Sequence, residues 1–435
     1  MKSLRSDPVL IVGAGLAGLS AAYHLDGRPY VVVEAEDRIG GLCRSVRAGG
    51  FTFDFTGHLL HVKRPEVRDL VRRLVGDEAF LRIDRRSGVY SHGQFTDYPF
   101  QVNTHGLPKA VIRECLTGFA ETLQATADLG ENPSFQRWAL ATFGDGICRH
   151  FMIPYNRKLF CTDLESMTAD WVSWSIPKPT WADVVRGAQG TSAKTFGYNP
   201  SFLYPAAGGI DHLPRAFAPH VKSLRLRTRL VHLRPAAREA LLSSGEVLRY
   251  SALISTMPLP NLLAQIEDLP RELAEGGRRL RYVSVLNLNL GFDRSSPTPY
   301  HWVYFPELEF PFYRVGVYSN LCAASVPPGH SAFYVEISHL PEQKIELEGL
   351  VDRVVDMLRE VGLVSPSATL RETAAFNIPC AYVIHDRDRS TLLPRALAYL
   401  DRHRIFSVGR YGAWEYSAME DALWQGWQAA ERARA

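Results

Sequence analysis

Apolar and polar positions along the chain fall into stretches of strand and helix periodicity. Val9–Val12 and Tyr30–Val33 are uninterrupted apolar runs, typical of buried parallel strands. From 107 to about 171 the apolar residues mostly follow helical spacing. Alternating strand patterns return from about 223, and residues 403–435 indicate a strand, a glycine-containing turn and a helix. This order predicts an α/β chain whose last segment returns to its first domain.

Three local patterns carry further predictions. Residues 81–100 predict a short hairpin with turns at Ser87-Gly88 and His92-Gly93. Residues 175–202 are rich in Pro, Gly, Ser and Thr, which predicts a long mobile loop. Arg225, Arg227 and Arg229 alternate along a predicted strand, and a solvated face explains them better than an anion site.

Glycines follow the first apolar run at the spacing of a dinucleotide fingerprint. Gly13 permits a tight turn, Gly15 lets a pyrophosphate approach the backbone, and Gly18 lets the following helix pack on the strand. Glu34 lies 21 residues after Gly13, where a carboxylate accepts hydrogen bonds from ribose hydroxyls and repels a 2′-phosphate. The pattern predicts a bound dinucleotide other than NADP. The alternative is a Rossmann unit whose turn binds nothing.

A second group of glycines favours FAD over NAD. Arg38, Gly40 and Gly41 follow the acid closely, and the stretch FTFDFTGHLLH comes soon after. A further glycine pair lets another backbone segment approach the cofactor, as the longer body of a flavin requires. FAD is therefore the expected cofactor.

Composition limits the partners and the compartment. The chain has 435 residues, 46% of them hydrophobic, and is long enough for two or three domains. A formal charge of +3, from 49 basic and 46 acidic residues, gives no nucleic-acid or membrane signature. The six cysteines form no CxxC pair, so neither a disulfide framework nor a metal site is expected. These features predict a cytoplasmic protein.

The predicted fold class is α/β, with a discontinuous Rossmann-type FAD-binding domain, an inserted helical domain and an antiparallel β-sheet substrate domain. We assign 1–80, 203–265 and 395–435 to the FAD-binding domain. The helical domain comprises 105–202 and ends in the mobile loop 175–202. The sheet domain comprises 81–104 and 280–394.

Seven stretches, taken in order, resemble the successive motifs of UDP-galactopyranose mutases, within the wider group of amine oxidases and protoporphyrinogen oxidases. They are FTGHLLH, FTDYPFQVNTHGLP, PYNRKLF, LYPAAGG, PFYRVGVYS, RETAAFNIPCAYVIHD and GRYGAWEYSAME. The resemblance implies an FAD-dependent pyranose–furanose mutase acting on a nucleotide sugar, with UDP as the expected nucleotide. It also implies that N5 of reduced FAD attacks the anomeric carbon and that an external reductant such as NAD(P)H is needed. A homo-oligomer is compatible with the resemblance.

The same resemblance implies the catalytic residues. His58 matches a histidine beside the flavin ring, with a satisfied structural histidine as the alternative. Arg314 matches an arginine at the substrate diphosphate, and Arg410 one near flavin and substrate, where a planar fork binds phosphate oxygens at two points. Tyr382 and Tyr416 match tyrosines that donate to the same phosphates, and core packing is the alternative for each.

The resemblance also implies residues that hold the substrate and the cofactor. Tyr155 and Phe160 match an aromatic pair that grips uridine, although the family usually has tryptophan at the second position. The remaining substrate-binding residues are Asn103, Lys178, Tyr198 and Glu372, the last with a surface ion pair as its alternative. A helix beginning near 417–419 would direct its N–H groups at the reduced flavin. The expected cofactor-binding residues are Gly13, Gly15, Leu16, Ala17, Gly18, Glu34, Ala35, Arg38, Gly41, Leu42, Gly57, His58, Leu230, Gly409, Arg410, Ser417, Ala418 and Met419.

One departure from the family concerns its loop arginine. Ser175 stands where the family carries this arginine, and Lys178, Arg186 or Lys194 from the same loop could replace it. Lysine is a point charge and cannot copy the guanidinium fork. Two other functions therefore stay open: an FAD-dependent oxidase or desaturase of the amine-oxidase type, and a non-catalytic flavin-fold protein that binds nucleotide sugars.

Overall fold

A computed structural model describes residues 7–125, 128–172, 176–191, 196 and 200–435. The strands are β1 (Val9–Val12), β2 (Tyr30–Val33), β3 (Ser45–Ala48), β4 (Phe51–Asp54), β5 (Phe80–Asp84), β6 (Ser87–Ser91), β7 (Gln94–Asp97), β8 (Ser201–Pro205), β9 (Leu224–Arg225), β10 (Leu230–Arg234), β11 (Glu239–Leu242), β12 (Val247–Arg249), β13 (Ala252–Ser255), β14 (Tyr282–Phe292), β15 (Trp302–Tyr304), β16 (Arg314–Val317), β17 (Ser331–His339), β18 (Leu370–Val383) and β19 (Ile405–Ser407). The α-helices are α1 (Leu16–His24), α2 (Pro65–Val75), α3 (Lys109–Thr122), α4 (Phe135–Ile147), α5 (Ile153–Phe160), α6 (Trp181–Ala188), α7 (His212–Phe217), α8 (Leu259–Leu263), α9 (Arg271–Arg279), α10 (Tyr318–Leu321), α11 (Leu350–Glu360), α12 (Arg387–Arg402), α13 (Gly409–Gly412) and α14 (Met419–Arg434).

The first apolar runs lie in a five-stranded parallel sheet with the order β19-β13-β1-β2-β9. Successive side chains of β1 alternate between the two faces, so both faces need apolar cover. Ile11 packs with α1 and α14 on one face, and Leu10 packs with β10–β12 and α12 on the other. The sheet is thus assembled from distant parts of the chain.

The C-terminal helix α14 packs directly against α1. A Cβ at Gly426 would lie 2.1 Å from the carbonyl oxygen of Ala17, so only glycine permits this approach. The Ser20 hydroxyl donates to the Leu423 carbonyl at 2.6 Å across the same contact. The end of the chain is thereby held beside its first glycine turn.

A seven-stranded sheet with the order β18-β14-β17-β16-β15-β6-β7 forms the second layer. Neighbouring strands within this sheet are antiparallel, except that β15 and β6 are parallel. Arg314 begins β16, and Tyr382 lies near the end of β18.

Helices α3, α4 and α5 form a helical unit against this sheet, and their core includes Tyr313, which directly precedes β16, and Ile378 of β18. Gly144 lies in the left-handed region at φ 76°, and a Cβ there would approach the Gly118 carbonyl oxygen to 2.1 Å. This glycine therefore permits the close crossing of α3 and α4. A π-helical turn, Cys148–Met152, leads into α5, which carries the PYNRKLF stretch.

The prediction of a turn at Ser87-Gly88 is wrong. These residues lie inside β6, which pairs with β7 across the turn at His92-Gly93, while β5 pairs with β8 from a distant part of the chain. The long-range pairing explains this outcome, because β15 and β7 pair with the two edges of the segment and Ser87, Gly88 and Val89 are buried.

The predictions of a structureless loop and of an arginine-bearing strand also need correction. Within the described part of 175–202, α6 forms, because the Thr180 hydroxyl accepts from the Asp183 N–H and the Asp183 carboxylate accepts from the Thr180 N–H. The single predicted strand is split into β9 and β10 by Arg227, whose φ is 51°.

The α/β fold with a parallel and an antiparallel sheet is confirmed. The domain boundaries drawn from the sequence stay a prediction. None of the helices in the described ranges has the length and apolarity needed to cross a bilayer.

Candidate active site

A cavity of about 940 Å³ runs from the glycine turn after β1 to the residues between the helical unit and the seven-stranded sheet. Its volume is at the upper end of the usual range for small-molecule sites. The carboxyl edge of the parallel sheet, where such folds bind ligands, forms one end. The ends of β16 and β18 contribute to the other.

At the sheet end, backbone and carboxylate form a cradle. Gly13 has φ +100°, and a Cβ added to Gly15 would stand 3.7 Å from the Cα of Gly41, so two glycine turns approach each other here. Glu34 is 8% exposed, and its carboxylate accepts from the N–H groups of Ala14 at 2.7 Å and Glu36 at 2.9 Å. These bonds fix the carboxylate beside the turn, as ribose binding requires.

The same cavity meets two helix N-termini. Gly15 and Leu16, at the start of α1, and Ser417 to Met419, at the start of α14, line it. Helix N-termini present unpaired N–H groups and a partial positive charge, which suit the pyrophosphate and an electron-rich flavin ring.

Several buried polar atoms of the lining have no partner within the chain. They include the Ser417 hydroxyl, the Tyr313 hydroxyl and the Trp302 indole N–H among the described residues. Because buried polar groups are normally hydrogen-bonded, these atoms indicate a polar ligand in the cavity. The glycine cradle, the fixed carboxylate and these free polar groups together fit FAD.

His58 lines the middle of the cavity. Its Nδ1 lies 3.3 Å from the Thr56 hydroxyl, and Thr56 itself adopts a positive φ of 70°. Burial first, and then the positive charge of Arg410, lower the pKa of His58 to about 4. The imidazole is therefore neutral at neutral pH and can donate or accept a hydrogen bond.

Arg314 is fixed by a carboxylate on the neighbouring strand. Glu336 lies directly opposite it in the register of β16 and β17, and accepts from Nε at 2.5 Å and from Nη2 at 2.8 Å. The Glu336 side chain is 1% exposed and that of Arg314 is 20% exposed. Glu336 holds the pKa of Arg314 well above its usual value despite burial, so the guanidinium stays charged.

Arg410 brings two tyrosines together. Its guanidinium lies 5.2 Å from the ring centroid of Tyr382 and 4.6 Å from that of Tyr416, and the two rings are 5.9 Å apart at 18°. It also donates to the carbonyls of Ser417 at 2.8 Å and Ala381 at 3.3 Å. In the described part of the chain, no carboxylate lies within 4 Å of it. Arg410 therefore combines positive charge with two phenol groups beside the start of α14.

An aromatic wall closes the far end. Phe160 meets Tyr382 and Trp171 edge-on, at centroid distances of 6.2 Å and 5.4 Å. Tyr155 contacts Tyr304 at 5.5 Å, and burial raises its pKa well above the usual range. Trp171 also contacts the Tyr416 ring at 6.3 Å. These faces can stack on a planar base.

Residues 16–434 match the family model described as flavin containing amine oxidoreductase, which is nearly the whole chain. The chain belongs to the flavin-containing amine oxidoreductase family. The members of this family are flavin enzymes.

Among solved structures, a reduced UDP-galactopyranose mutase superposes with a TM-score of 0.92 and 28% identity, over 98% of this chain and 95% of that one. A putative protoporphyrinogen oxidase from Exiguobacterium sp. 255-15 shares the fold, with a TM-score of 0.74, 17% identity and 98% coverage of both chains. Coproporphyrinogen III oxidase of Mycobacterium tuberculosis is 22% identical over 62% of this chain and 63% of its own length. The chain covers between 10% and 63% of the curated relatives that it matches.

Most of the site residues that we predict from the sequence are among those that line the cavity. The catalytic candidates His58, Arg314, Tyr382, Arg410 and Tyr416 all do so. So do the aromatic pair and most of the cofactor set, namely Tyr155, Phe160, Gly13, Gly15, Leu16, Ala17, Glu34, Ala35, Gly41, Leu42, Gly57, Leu230, Gly409, Ser417, Ala418 and Met419.

Three of the substrate-binding candidates do not line the cavity. The backbone N–H of Asn103 donates to the Pro99 carbonyl at 3.1 Å, and the residue is not part of the lining. Lys178 is exposed, with its ammonium 5.5 Å from the Trp138 ring centroid. Glu372, on β18, has its carboxylate beside Gly49.

Two expected cofactor contacts also lie outside the lining. Arg38 is exposed and pairs with Asp37 at 2.9 Å, while Gly18 packs against the Gly13 carbonyl and so shapes the turn. Arg186, considered as a replacement for the loop arginine, pairs with Asp183 at 3.1 Å. Ser175, Lys194 and Tyr198 lie outside the described residues.

Sequence reasoning missed part of the lining, including four residues with charged or large aromatic side chains. They are Arg85, Trp171, Arg229 and Glu336. Glu336 alternates with apolar residues in the strand SAFYVEIS, where an inward-facing acid signals a buried partner. The contribution of Arg229 to the cavity was missed because the alternating pattern of 225–229 predicts one continuous solvated strand, whereas the strand breaks at Arg227.

Proposed function

We propose that the protein is a flavin-dependent pyranose–furanose mutase acting on a nucleotide-activated sugar, with UDP as the nucleotide. The observation that carries this proposal is the convergence of Arg314, Arg410, Tyr382 and Tyr416 in one cavity with the dinucleotide cradle. Four donors with two positive charges suit a diphosphate that must leave and return. The similarity to a UDP-galactopyranose mutase over 98% of the chain supports the same conclusion.

FAD would be held by the turns at Gly15 and Gly41, by Glu34 at the ribose, and by the N-terminus of α14 at the flavin ring. Bound and reduced, FAD supplies a nucleophilic ring nitrogen for the anomeric carbon of the sugar. The dipole of α14 favours negative charge on the adjacent ring and so favours the reduced form. Neutral His58 adds a hydrogen-bonding group without adding charge.

The two arginines bind the diphosphate from separate elements. Two N–H groups of Arg314 donate to Glu336, which leaves three for phosphate oxygens and fixes the plane of the guanidinium. Arg410 donates to two carbonyls and keeps its remaining N–H groups for the ligand. Both cations stabilise the negative charge that grows on the diphosphate as the glycosidic bond breaks.

The tyrosines donate to the same phosphates as neutral groups. Burial raises the pKa of Tyr382 to about 12, and the nearby charge of Arg314 only partly offsets this effect. Tyr382 therefore keeps its proton at neutral pH and donates a hydrogen bond. Tyr155 and Phe160 hold the uracil base by stacking, which is worth roughly 1–3 kcal/mol per base.

The second candidate is an oxidoreductase of the amine-oxidase type. The family match and the oxidases among the relatives favour it. Against it stands the polar cradle, because burying charged and phenolic groups beside an apolar substrate costs several kcal/mol for each unpaired group. A non-catalytic protein that binds nucleotide sugars is the third candidate.

One experiment separates the three candidates. The purified holoprotein is incubated, oxidised and dithionite-reduced, with a panel of nucleotide sugars, and in parallel with amines and polyenes under oxygen. A furanose product formed only by the reduced protein supports the mutase. Oxygen uptake with an amine or polyene supports the oxidase, and nucleotide-sugar binding without turnover in either state supports the third candidate.

A further inference from the structure

Arg85 enters the cavity from an element that the sequence motifs do not include. It directly follows β5 and precedes β6, and its side chain belongs to the lining. Its guanidinium carbon lies 4.8 Å from the Tyr98 ring centroid, and Nη2 donates to the carbonyl of Phe196. The aromatic face and the carbonyl thus hold the guanidinium in place.

This cation has no acidic partner. Within the described ranges, no carboxylate lies within 4 Å of Arg85. A guanidinium has five N–H donors, and a single side-chain hydrogen bond leaves most of them without a protein acceptor. A positioned, partly buried arginine with free donors is what an oxyanion site requires.

Two tyrosine rings connect Arg85 with the strand that carries Arg314. The Tyr98 ring stands 5.2 Å from the ring of Tyr304, and Tyr304 is opposite Arg314 in the register of β15 and β16. At this end of the lining there are three arginines, Arg85, Arg314 and Arg410, and one carboxylate among the described residues, Glu336, which pairs with Arg314. The surplus of two positive charges equals the charge of a nucleoside diphosphate ester.

We propose that Arg85 is an oxyanion-binding residue of the substrate half of the cavity. The proposal rests on the function proposed above, because it assigns to Arg85 an anionic group of a nucleotide sugar. Two parts of such a substrate carry an oxyanion that a guanidinium fork recognises: the diphosphate, and a carboxylate on the sugar ring. Arg85 then supplies from β5 the guanidinium that Ser175 does not provide from the loop.

The test compares Arg85→Met and Arg85→Lys with wild type as oxidised holoproteins, by titration calorimetry. The probes are inorganic pyrophosphate, UDP, UDP-glucose and UDP-glucuronate. Arg86→Met is the matched control, because Arg86 is the next residue, is exposed and does not line the cavity. Flavin absorbance and the melting temperature confirm that each variant is folded.

Loss of a charge-assisted hydrogen bond predicts about 10- to 150-fold weaker binding in Arg85→Met, a smaller loss in Arg85→Lys and no change in Arg86→Met. A loss on pyrophosphate and UDP assigns Arg85 to the diphosphate, and a loss confined to UDP-glucuronate assigns it to a sugar carboxylate. Equal affinities of Arg85→Met and wild type for all four probes overturn the proposal. Anion binding that depends on Arg85, in a protein that forms no furanose, would contradict the mutase assignment but not the proposed role of Arg85.

Discussion

Arg314 and Glu336 face each other across neighbouring antiparallel strands, and both carboxylate oxygens accept from the guanidinium, at 2.5 and 2.8 Å. The pair fixes the plane of the Arg314 guanidinium and leaves three of its N–H groups for a ligand. A buried ion pair of this kind contributes little net stability, but leaving one partner alone is costly. The pair therefore serves to orient Arg314, the group that we propose binds the diphosphate.

Glu336→Gln is predicted to weaken UDP binding by roughly tenfold, because the neutral amide offers Arg314 one acceptor in place of two charged ones. Titration calorimetry of the holoprotein measures the change. Asp293→Asn is the matched control, since Asp293 forms a similar two-point pair with the exposed Arg371 far from the cavity. Unchanged UDP affinity in Glu336→Gln would remove the orienting role of Glu336.

Gly15→Val is predicted to fold but to be colourless. A Cβ at Gly15 meets nothing in the chain closer than 3.7 Å, so the protein has room for it and only an approaching cofactor does not. Gly18→Ala is predicted to fail differently, because its Cβ would stand 1.9 Å from the Gly13 carbonyl oxygen and the turn itself must shift. Circular dichroism and flavin absorbance distinguish the two outcomes. A yellow Gly15→Val protein with full flavin content would contradict the assigned cradle.

His58 is predicted to make the protein less stable in acid. Its pKa is lowered to about 4, so between its usual value near 6.5 and pH 4 the unfolded chain binds a proton that the folded chain rejects. The free energy of unfolding then falls by roughly 2 kcal/mol from about pH 7 to about pH 4.5 through this residue alone. Urea unfolding at both pH values measures it, and in His58→Gln this part of the pH dependence should disappear.

Attributing this pH dependence to His58 requires a comparison with two other titratable residues. Burial raises the pKa of Asp54 to about 6, so its stabilising effect is present in acid and fades as the pH rises through 6, opposite in sign to that of His58. Only the difference between wild type and His58→Gln isolates the imidazole. The exposed His105→Gln is the matched control. A pH profile of His58→Gln identical to that of wild type rules out a neutral His58 in the fold.

Lys158 is predicted to stabilise the aromatic wall. It lies between Tyr155 and Phe160 on α5 and donates to the carbonyls of Phe305, Glu307 and Phe312 in the connection that precedes Arg314. Lys158→Met leaves three carbonyls without their donor, so we expect a loss of unfolding free energy on the order of 2–3 kcal/mol.

Urea unfolding and UDP titration together measure the effect of Lys158→Met, because the lysine joins two elements that carry substrate-binding candidates. The neighbouring Arg157→Met is the control, since Arg157 is exposed and reaches only the Gln136 side chain at 3.3 Å. Wild-type stability in Lys158→Met, or an equal loss in Arg157→Met, would show that the lysine has no special role.

The dinucleotide half could be predicted from the sequence because its signals are local. The apolar run of β1, the turn at Gly13 and the carboxylate of Glu34 lie within a few dozen residues of one another. The geometry of a parallel strand followed by a helix then determines how they are placed. The resemblance to mutases added Arg314, Tyr382, Arg410 and Tyr416, which no local rule would have joined.

The remaining site residues depend on long-range pairing that a single sequence does not reveal. β5 pairs with β8, more than a hundred residues away, and that pairing brings Arg85 to the cavity beside Tyr98. The helix α6 depends on a capping box at Thr180 inside a stretch whose composition indicates a loop. Asn103 and Glu372 were predicted from their positions in family motifs, and Lys178 from its place in the loop. Neither kind of position determines which way a side chain points.

The proposed mutase activity is tested most directly by the NMR spectrum of UDP-galactopyranose incubated with the dithionite-reduced holoprotein, beside an oxidised sample. We expect UDP-galactofuranose signals with the reduced protein alone, and we expect them to be lost in Arg314→Ala. A fully reduced, flavin-loaded protein that leaves the pyranose spectrum unchanged, while binding UDP, would contradict the proposed mutase activity.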